Sequence, residues 1–126
     1  MSRARRKMGM WGEKVAAAYL AERGYEILER NVRNAEGELD IVAKQGDWIV
    51  FVEVKARGSQ EFGSPEEALT VSKQDRLRKT AWAYLEEREC LDALWRIDVV
   101  AIEGTQAGGV DRLEHYEYAV GGGMNP

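Results

Sequence analysis

Cysteine and histidine are nearly absent from this chain: Cys90 and His115 are the only ones among 126 residues. A single cysteine excludes an internal disulfide, and without companions at ligand spacing it excludes a zinc cluster. Cys90 reads as a packing residue at a helix end, and a lone histidine on a strand reads as structural, so neither receives a role. No serine, cysteine and histidine are spaced as nucleophile and base, which leaves no basis for covalent catalysis. No apolar run approaches the roughly 20 residues that span a bilayer. The N-terminus is basic but is not followed by an uninterrupted apolar segment, so no secretory signal is expected and the expected location is the cytoplasm. Composition carries no disorder bias, at 44% hydrophobic and 32% charged. No repeat and no second domain are visible. One domain is expected over residues 1–120, with a basic arm at 1–8 and a flexible glycine-rich tail at 121–126.

The chain carries instead a stretch in which charges interrupt apolar strands. Gly37 to Lys44 and Trp48 to Arg57 are two β-rich runs around Gln45-Gly46-Asp47, a hairpin signal. In the first, Leu39, Ile41 and Ala43 alternate with Glu38, Asp40, Val42 and Lys44. In the second, Val50, Val52 and Val54 share one face, while Glu53 and Lys55 share the other with Ile49 and Phe51. Strands apolar on both sides are usually covered on both faces, where ionised groups are costly unless paired or bound to metal. Register decides whether Asp40 and Glu53 meet. A two-residue loop at Gln45-Gly46 makes them diagonal neighbours, and a four-residue loop ending at Trp48 places them directly opposite. Both arrangements bring the carboxylates to roughly 5–8 Å, within reach of one ion. A three-residue loop sends them to opposite faces unless a bulge restores the phase.

Elsewhere the signals are conventional. A helix is expected from about Gly9–Gly12 to Arg23, stopped by Gly24, with Glu13, Ala16, Ala17 and Leu20 on one stripe. A carboxylate on that stripe is explained either by a first-turn position favoured by the helix dipole or by a site beneath the helix. Tyr25 to Arg33 reads as a strand. Ser64-Pro65-Glu66-Glu67 reads as the start of a short helix. Ser72-Lys73-Gln74-Asp75 reads as the cap of a longer one that buries Leu77, Ala81, Tyr84 and Leu85. Trp95 to Ile102 and Leu113 to Val120 complete the strands, the last an edge. The expected class is α/β, a mixed sheet flanked by helices in the order α-β-β-β-α-β-β.

The net charge of −4 does not suggest a nucleic-acid binder. Basic residues nevertheless cluster at Arg3, Arg5, Arg6 and Lys7 and at Lys73, Arg76, Arg78 and Lys79. That distribution fits a local phosphate-binding surface as well as simple solubility. Asp40 and Glu53 offer the hard oxygens that suit Mg²⁺ or Mn²⁺, and the Val54 carbonyl could add a ligand between them. Such an ion can activate water and stabilise charge on a phosphoryl oxygen, with Lys55 placed at the attacking water. The competing reading is a structural network in which Glu53, Lys55, Arg96 and Asp98 form buried ion pairs.

Several segments taken together resemble the YraN-like family of predicted endonucleases, within the restriction-endonuclease-like superfamily that includes archaeal Holliday junction resolvases. They are Gly9-Met10-Trp11-Gly12-Glu13, Asn31-Val32-Arg33, Gly37-Glu38-Leu39-Asp40 and Phe51-Val52-Glu53-Val54-Lys55-Ala56-Arg57, with Phe62-Gly63, Lys73 and Arg96-Ile97-Asp98. Leu39 and Ile97 depart from the family's usual residues but keep the acidic pattern. The resemblance implies a restriction-endonuclease-like core and puts Glu13, Asp40, Glu53 and Lys55 at catalytic positions. It implies an endonuclease using Mg²⁺ or Mn²⁺ on DNA, including branched DNA, with a homodimer expected for a resolvase-like enzyme. Arg33, Arg57, Lys73 and Arg76 are the phosphate contacts expected on that reading. A nucleic-acid-binding module of the same fold without cleavage is the alternative.

Overall fold

The computed structural model describes residues 3–58 and 69–120. The elements are α1 (Arg3–Glu22), β1 (Glu26–Asn34), β2 (Gly37–Gln45), β3 (Trp48–Arg57), α2 (Val71–Glu87), β4 (Leu94–Thr105) and β5 (Gly109–Tyr116). They form one mixed five-stranded sheet in the order β1-β2-β3-β4-β5. Neighbours are antiparallel except β3 and β4, which run parallel. A parallel pair needs a long crossover, and α2 lies within it. This α/β order and layering is what the restriction-endonuclease-like resemblance implies.

Each sheet face is covered by one helix, which explains why β3 is apolar on both sides. Under α1, Ala16 and Leu20 pack on Ile41, Val50, Val52, Val100 and Ile102. Under α2, Leu77, Ala81, Tyr84 and Leu85 pack on Val42, Phe51, Trp95 and Ile97. The α2 stripe is the expected one with Thr80 added, fully buried because its hydroxyl donates to the Arg76 carbonyl at 2.7 Å.

Several boundaries differ from the sequence expectation. The α1 helix starts at Arg3, so the residues read as a basic arm are mostly helical, and Gly9 and Gly12 lie inside it. Gly12 is there for close approach: a Cβ at this position would sit 2.6 Å from Ala56 Cβ. The cap of α2 is Thr70, not Ser72; its hydroxyl accepts from Lys73 N–H at 3.2 Å. Asp75, expected to complete that cap, pairs with Arg78. The last strand runs Gly109–Tyr116 where Leu113–Val120 is expected: it starts early because β4 continues through Gly104 to Thr105 and pairs with it there, and it ends at Tyr116 opposite Val99. A register shift at Glu103/Gly104 and a left-handed Gly109 (φ +85) allow that return. The helix expected at Ser64-Pro65, the Phe62-Gly63 motif and the tail lie outside the described residues.

Candidate functional site

The hairpin between β2 and β3 closes with Gln45 paired to Trp48, leaving Gly46-Asp47 as a two-residue turn. Gly46 takes φ +58 at the first turn position, where such turns favour glycine. The ladder runs to Ile41 opposite Val52. Continued one step, this register sets Asp40 across from Glu53, and the two side chains interact by charge and by a hydrogen bond. This is the register expected of the longer loop, reached because Gln45 and Trp48 pair instead of looping. Beyond Ile41 the simple alternation of β2 fails: Leu39, expected on the face of Ile41, packs in the α2 core. At the same point Val54 N–H donates to Asp40 Oδ2 at 2.8 Å. A side chain thus occupies a strand donor, and the Asp40 carboxyl is fixed between β2 and β3.

Two carboxylates at this spacing repel unless a proton or cation intervenes. Burial is the largest cause that pushes the Asp40 pKa up to about 9, followed by the Glu53 charge and a hydrogen bond with Glu53. The Val54 N–H opposes the rise, and the Glu13 charge adds to it. Lys55 Nζ lies 3.1 Å from Glu53 Oε2, both side chains being largely covered. A cavity of about 390 Å³ opens beside this group, lined by Gly37, Glu38, Asp40, Glu53, Lys55, Lys73, Arg76 and Leu77. Three of the four residues expected to be catalytic and two of the four expected phosphate contacts therefore line one concavity.

The others are placed differently. Glu13 does not line the cavity, and the extended α1 removes the first-turn explanation, since Glu13 lies mid-helix. Burial raises its pKa, while Arg30 and a hydrogen bond from Asn31 oppose the rise; Glu53 and Glu38 raise it further. Glu13 thus feels the charge of Glu53 from the α1 side, where Gly12 brings the helix down onto Val54 and Ala56. Arg33 is exposed and pairs with Glu38 at 3.2 Å, and neither Arg33 nor Arg57 lines this cavity. Val54 contributes its N–H to Asp40, whereas the expected ligand was its carbonyl.

Asn31 and Glu38 belong to the surroundings of the site and were not singled out as site residues. Asn31 stands at φ +55 within β1, a conformation asparagine tolerates better than most residues, and this turns its side chain to use. Among the described residues no three His, Cys, Asp or Glu side chains group closely enough to hold an ion by themselves. A cation at Asp40 and Glu53 would complete its shell with water and substrate oxygen, which suits Mg²⁺. The rise in the Asp40 pKa fits that donor set, because a divalent cation can replace the proton that relieves the repulsion.

The charges at Arg96 and Asp98 form a separate group. They lie on the α1 face, whereas Glu53 and Lys55 lie on the α2 face. Arg96 Nε donates to Asp98 Oδ1 at 3.0 Å, and both residues are buried. His115 Nε2 is 2.8 Å from Asp98 Oδ2, and the Tyr19 hydroxyl is 3.2 Å from His115 Nδ1. His115 sits between Asp98 and Tyr19, contacts that join residues far apart in sequence.

The model of the uncharacterised protein family UPF0102 matches residues 12–102. A UPF0102 protein of Pelotomaculum thermopropionicum is 45% identical over 119 residues, covering 94% of this chain and 99% of the relative. Relatives from Beutenbergia cavernae and Moorella thermoacetica are 48% and 51% identical, covering 90% and 81% of this chain and 95% and 85% of their own lengths. Among solved structures, Pyrococcus furiosus SfsA in complex with Ca²⁺ is similar over 90% of this chain and 63% of that chain, with 17% identity and a TM-score of 0.38. That likeness is too slight to carry chemistry. The chain belongs to the UPF0102 family.

Proposed function

We propose that this member of UPF0102 is a metal-dependent endonuclease that hydrolyses phosphodiester bonds in DNA. The observation that carries the reading is the Asp40–Glu53 pair: two carboxyls face each other across adjacent strands, with the Asp40 pKa pushed up to about 9, at the wall of a cavity that also holds three cations. A purely structural pair would be neutralised by a cation of its own, and among the described residues Lys55 pairs with Glu53 and not with Asp40.

Asp40 and Glu53 would hold Mg²⁺ or Mn²⁺ through carboxylate oxygens. When bound, the ion lowers the pKa of a coordinated water and draws negative charge from the phosphoryl oxygens. Lys55, held over Glu53 by their ion pair, is placed to orient the attacking water and to donate to the oxygen that becomes more negative. Lys73 and Arg76 bind the phosphate from the α2 side of the cavity. Glu13 acts from α1, where Asn31 holds its carboxyl by a hydrogen bond within reach of the Glu53 charge. Arg33 and Arg57 are flanking contacts outside this cavity on this reading.

The alternative is a DNA-binding module of the same fold without cleavage. One assay decides between them. The purified protein with Mg²⁺ or Mn²⁺ is expected to nick duplex, junction, flap or single-stranded DNA, and EDTA is expected to abolish this. Junctions in the same assay, with the stoichiometry of binding, test the finer reading of a branched substrate cut by two copies. Asp40→Asn and Glu53→Gln are expected to remove cleavage while DNA binding stays equal or tightens. Lys55→Ala is expected to lower kcat by roughly 10²–10³ with metal binding retained in calorimetry. No cleavage of any substrate with either metal, together with no calorimetric metal binding, ends the enzyme reading.

A further inference from the structure

We propose that a second cavity beside α2 is a subsite for a neighbouring phosphate of the cleaved strand, and that the strand is presented as part of a duplex. The proposal rests on the nuclease reading and extends its substrate. This cavity, about 660 Å³, is lined by Glu36 from the β1–β2 turn and by Val71, Ser72, Asp75, Arg76 and Lys79 of α2. Arg76 also lines the cavity of Asp40 and Glu53, so the two concavities meet at its side chain.

Lys73, Arg76 and Lys79 follow one another at three-residue intervals, which sets neighbouring side chains about 5–6 Å apart along a helix surface. Lys73 and Arg76 face the first cavity, Arg76 and Lys79 the second. No carboxylate among the described residues pairs with any of the three, whereas Arg78 on the same helix pairs with Asp75 and Arg88 at its C-cap pairs with Glu29. Gly37 marks the junction. A Cβ there would stand 2.8 Å from Thr80 Oγ1 and 3.4 Å from Arg76 Cγ, so glycine leaves Arg76 its place between the cavities.

What the cavities lack specifies the substrate further. Single strands are gripped largely by stacking bases on aromatic rings. No aromatic residue is among the described residues that line either cavity. Beside the carboxylates of Glu36 and Asp75, the outer cavity offers a phosphate Arg76, Lys79 and the Ser72 hydroxyl among its described lining residues. A duplex presents its phosphates outward with its bases turned inward, so contacts to phosphate alone can hold it without regard to sequence, which is the ligand this lining fits. Glu36, exposed on the rim of the outer cavity, opposes the phosphate and moderates the affinity.

The test is fluorescence anisotropy in EDTA, where nothing is cleaved, with a short blunt DNA duplex and each of its strands alone. The duplex is expected to bind roughly tenfold tighter than either strand. Between roughly 50 and 200 mM salt, Lys79→Ala is expected to flatten the duplex salt dependence by about one phosphate contact. Glu36→Gln is expected to tighten duplex binding. Lys44→Ala, at the far end of β2, is the control and is expected to keep the parental slope. A parental slope for Lys79→Ala, or single strands bound as tightly as the duplex, overturns the proposal. The cleavage assay is read separately. Cleavage by the parent with an unchanged Lys79→Ala slope removes the subsite and keeps the nuclease. A flattened slope with no cleavage keeps the subsite and removes the nuclease.

Discussion

At the scale of the residue, Asp40 is where function and stability conflict. In an unfolded chain its carboxyl ionises near 3.8, while in the fold it does so at about 9. Below the lower value both states are protonated and Asp40 has no net effect. As pH rises from 3.8 to about 9, the unfolded state loses the proton while the folded state keeps it. The fold therefore becomes progressively less stable across that window. Asp40→Asn removes the penalty. In EDTA the variant is expected to exceed the parent in unfolding free energy by roughly 1–2 kcal/mol at pH 8, with the difference shrinking toward pH 4. Urea denaturation at several pH values measures it, and a difference that does not depend on pH would show that the Asp40 proton has been misassigned. The pairing itself was legible in the sequence, because charges at alternate positions inside Val/Ile/Phe runs fix the face. Its register was not, since both loop lengths satisfied the alternation and only the Gln45–Trp48 pair selects one.

At the scale of the element, glycines and caps carried the least reliable signals, and the reason is packing. Gly9 and Gly12 read as a helix start because isolated glycine disfavours helix interior. In the fold Gly12 is a contact surface, and what it contacts, Ala56, is distant in sequence. Thr70 outcompetes Ser72 because its extended backbone aims the hydroxyl at Lys73 N–H. The glycines from Gly104 to Gly109 read as a loop, yet Gly104 lies in β4 and Gly109 opens β5. The Gly12 contact yields a prediction. The nearest atom to an added methyl is Ala56 Cβ at 2.6 Å, which has no rotamer to escape through. Gly12→Ala must lift α1 from β3, at a cost of roughly 1–3 kcal/mol, despite alanine's better helix propensity. It should also move Glu13 away from Glu53, so that cleavage falls in protein that is still folded. Stability equal to or above that of the parent would mean α1 is not seated on Ala56.

At the scale of the whole molecule, the sheet separates two groups of charges that the sequence left as one alternative. Glu53 and Lys55 lie toward α2 beside an open cavity, with a further carboxyl supplied by Asp40. Arg96 and Asp98 lie toward α1 with their hydrogen bonds closed. Asp98 accepts from Arg96, from the Tyr118 N–H at 3.1 Å and from His115, while Arg96 also donates to Tyr25 at 2.9 Å and Gln45 at 3.0 Å. Through Tyr19 and His115 that network joins α1 to β4 and β5, and through Gln45 it reaches the β2–β3 hairpin. Both ion pairs of that reading form, Arg96 with Asp98 and Lys55 with Glu53, and what it leaves over is Asp40, which has no cation of its own among the described residues. The two groups should respond oppositely to removal of one carboxylate. Asp98→Asn leaves the buried Arg96 guanidinium only the half-exposed Glu117 at 3.4 Å as counter-charge, and is expected to cost about 3–5 kcal/mol in denaturant unfolding. Any loss of cleavage should follow the unfolded fraction. Asp40→Asn is expected to abolish cleavage in protein at least as stable as the parent. If Asp98→Asn costs less than about 1 kcal/mol, the Arg96 network is not a structural tie. The division of labour between the two sheet faces would then fail, whatever the nuclease assay shows.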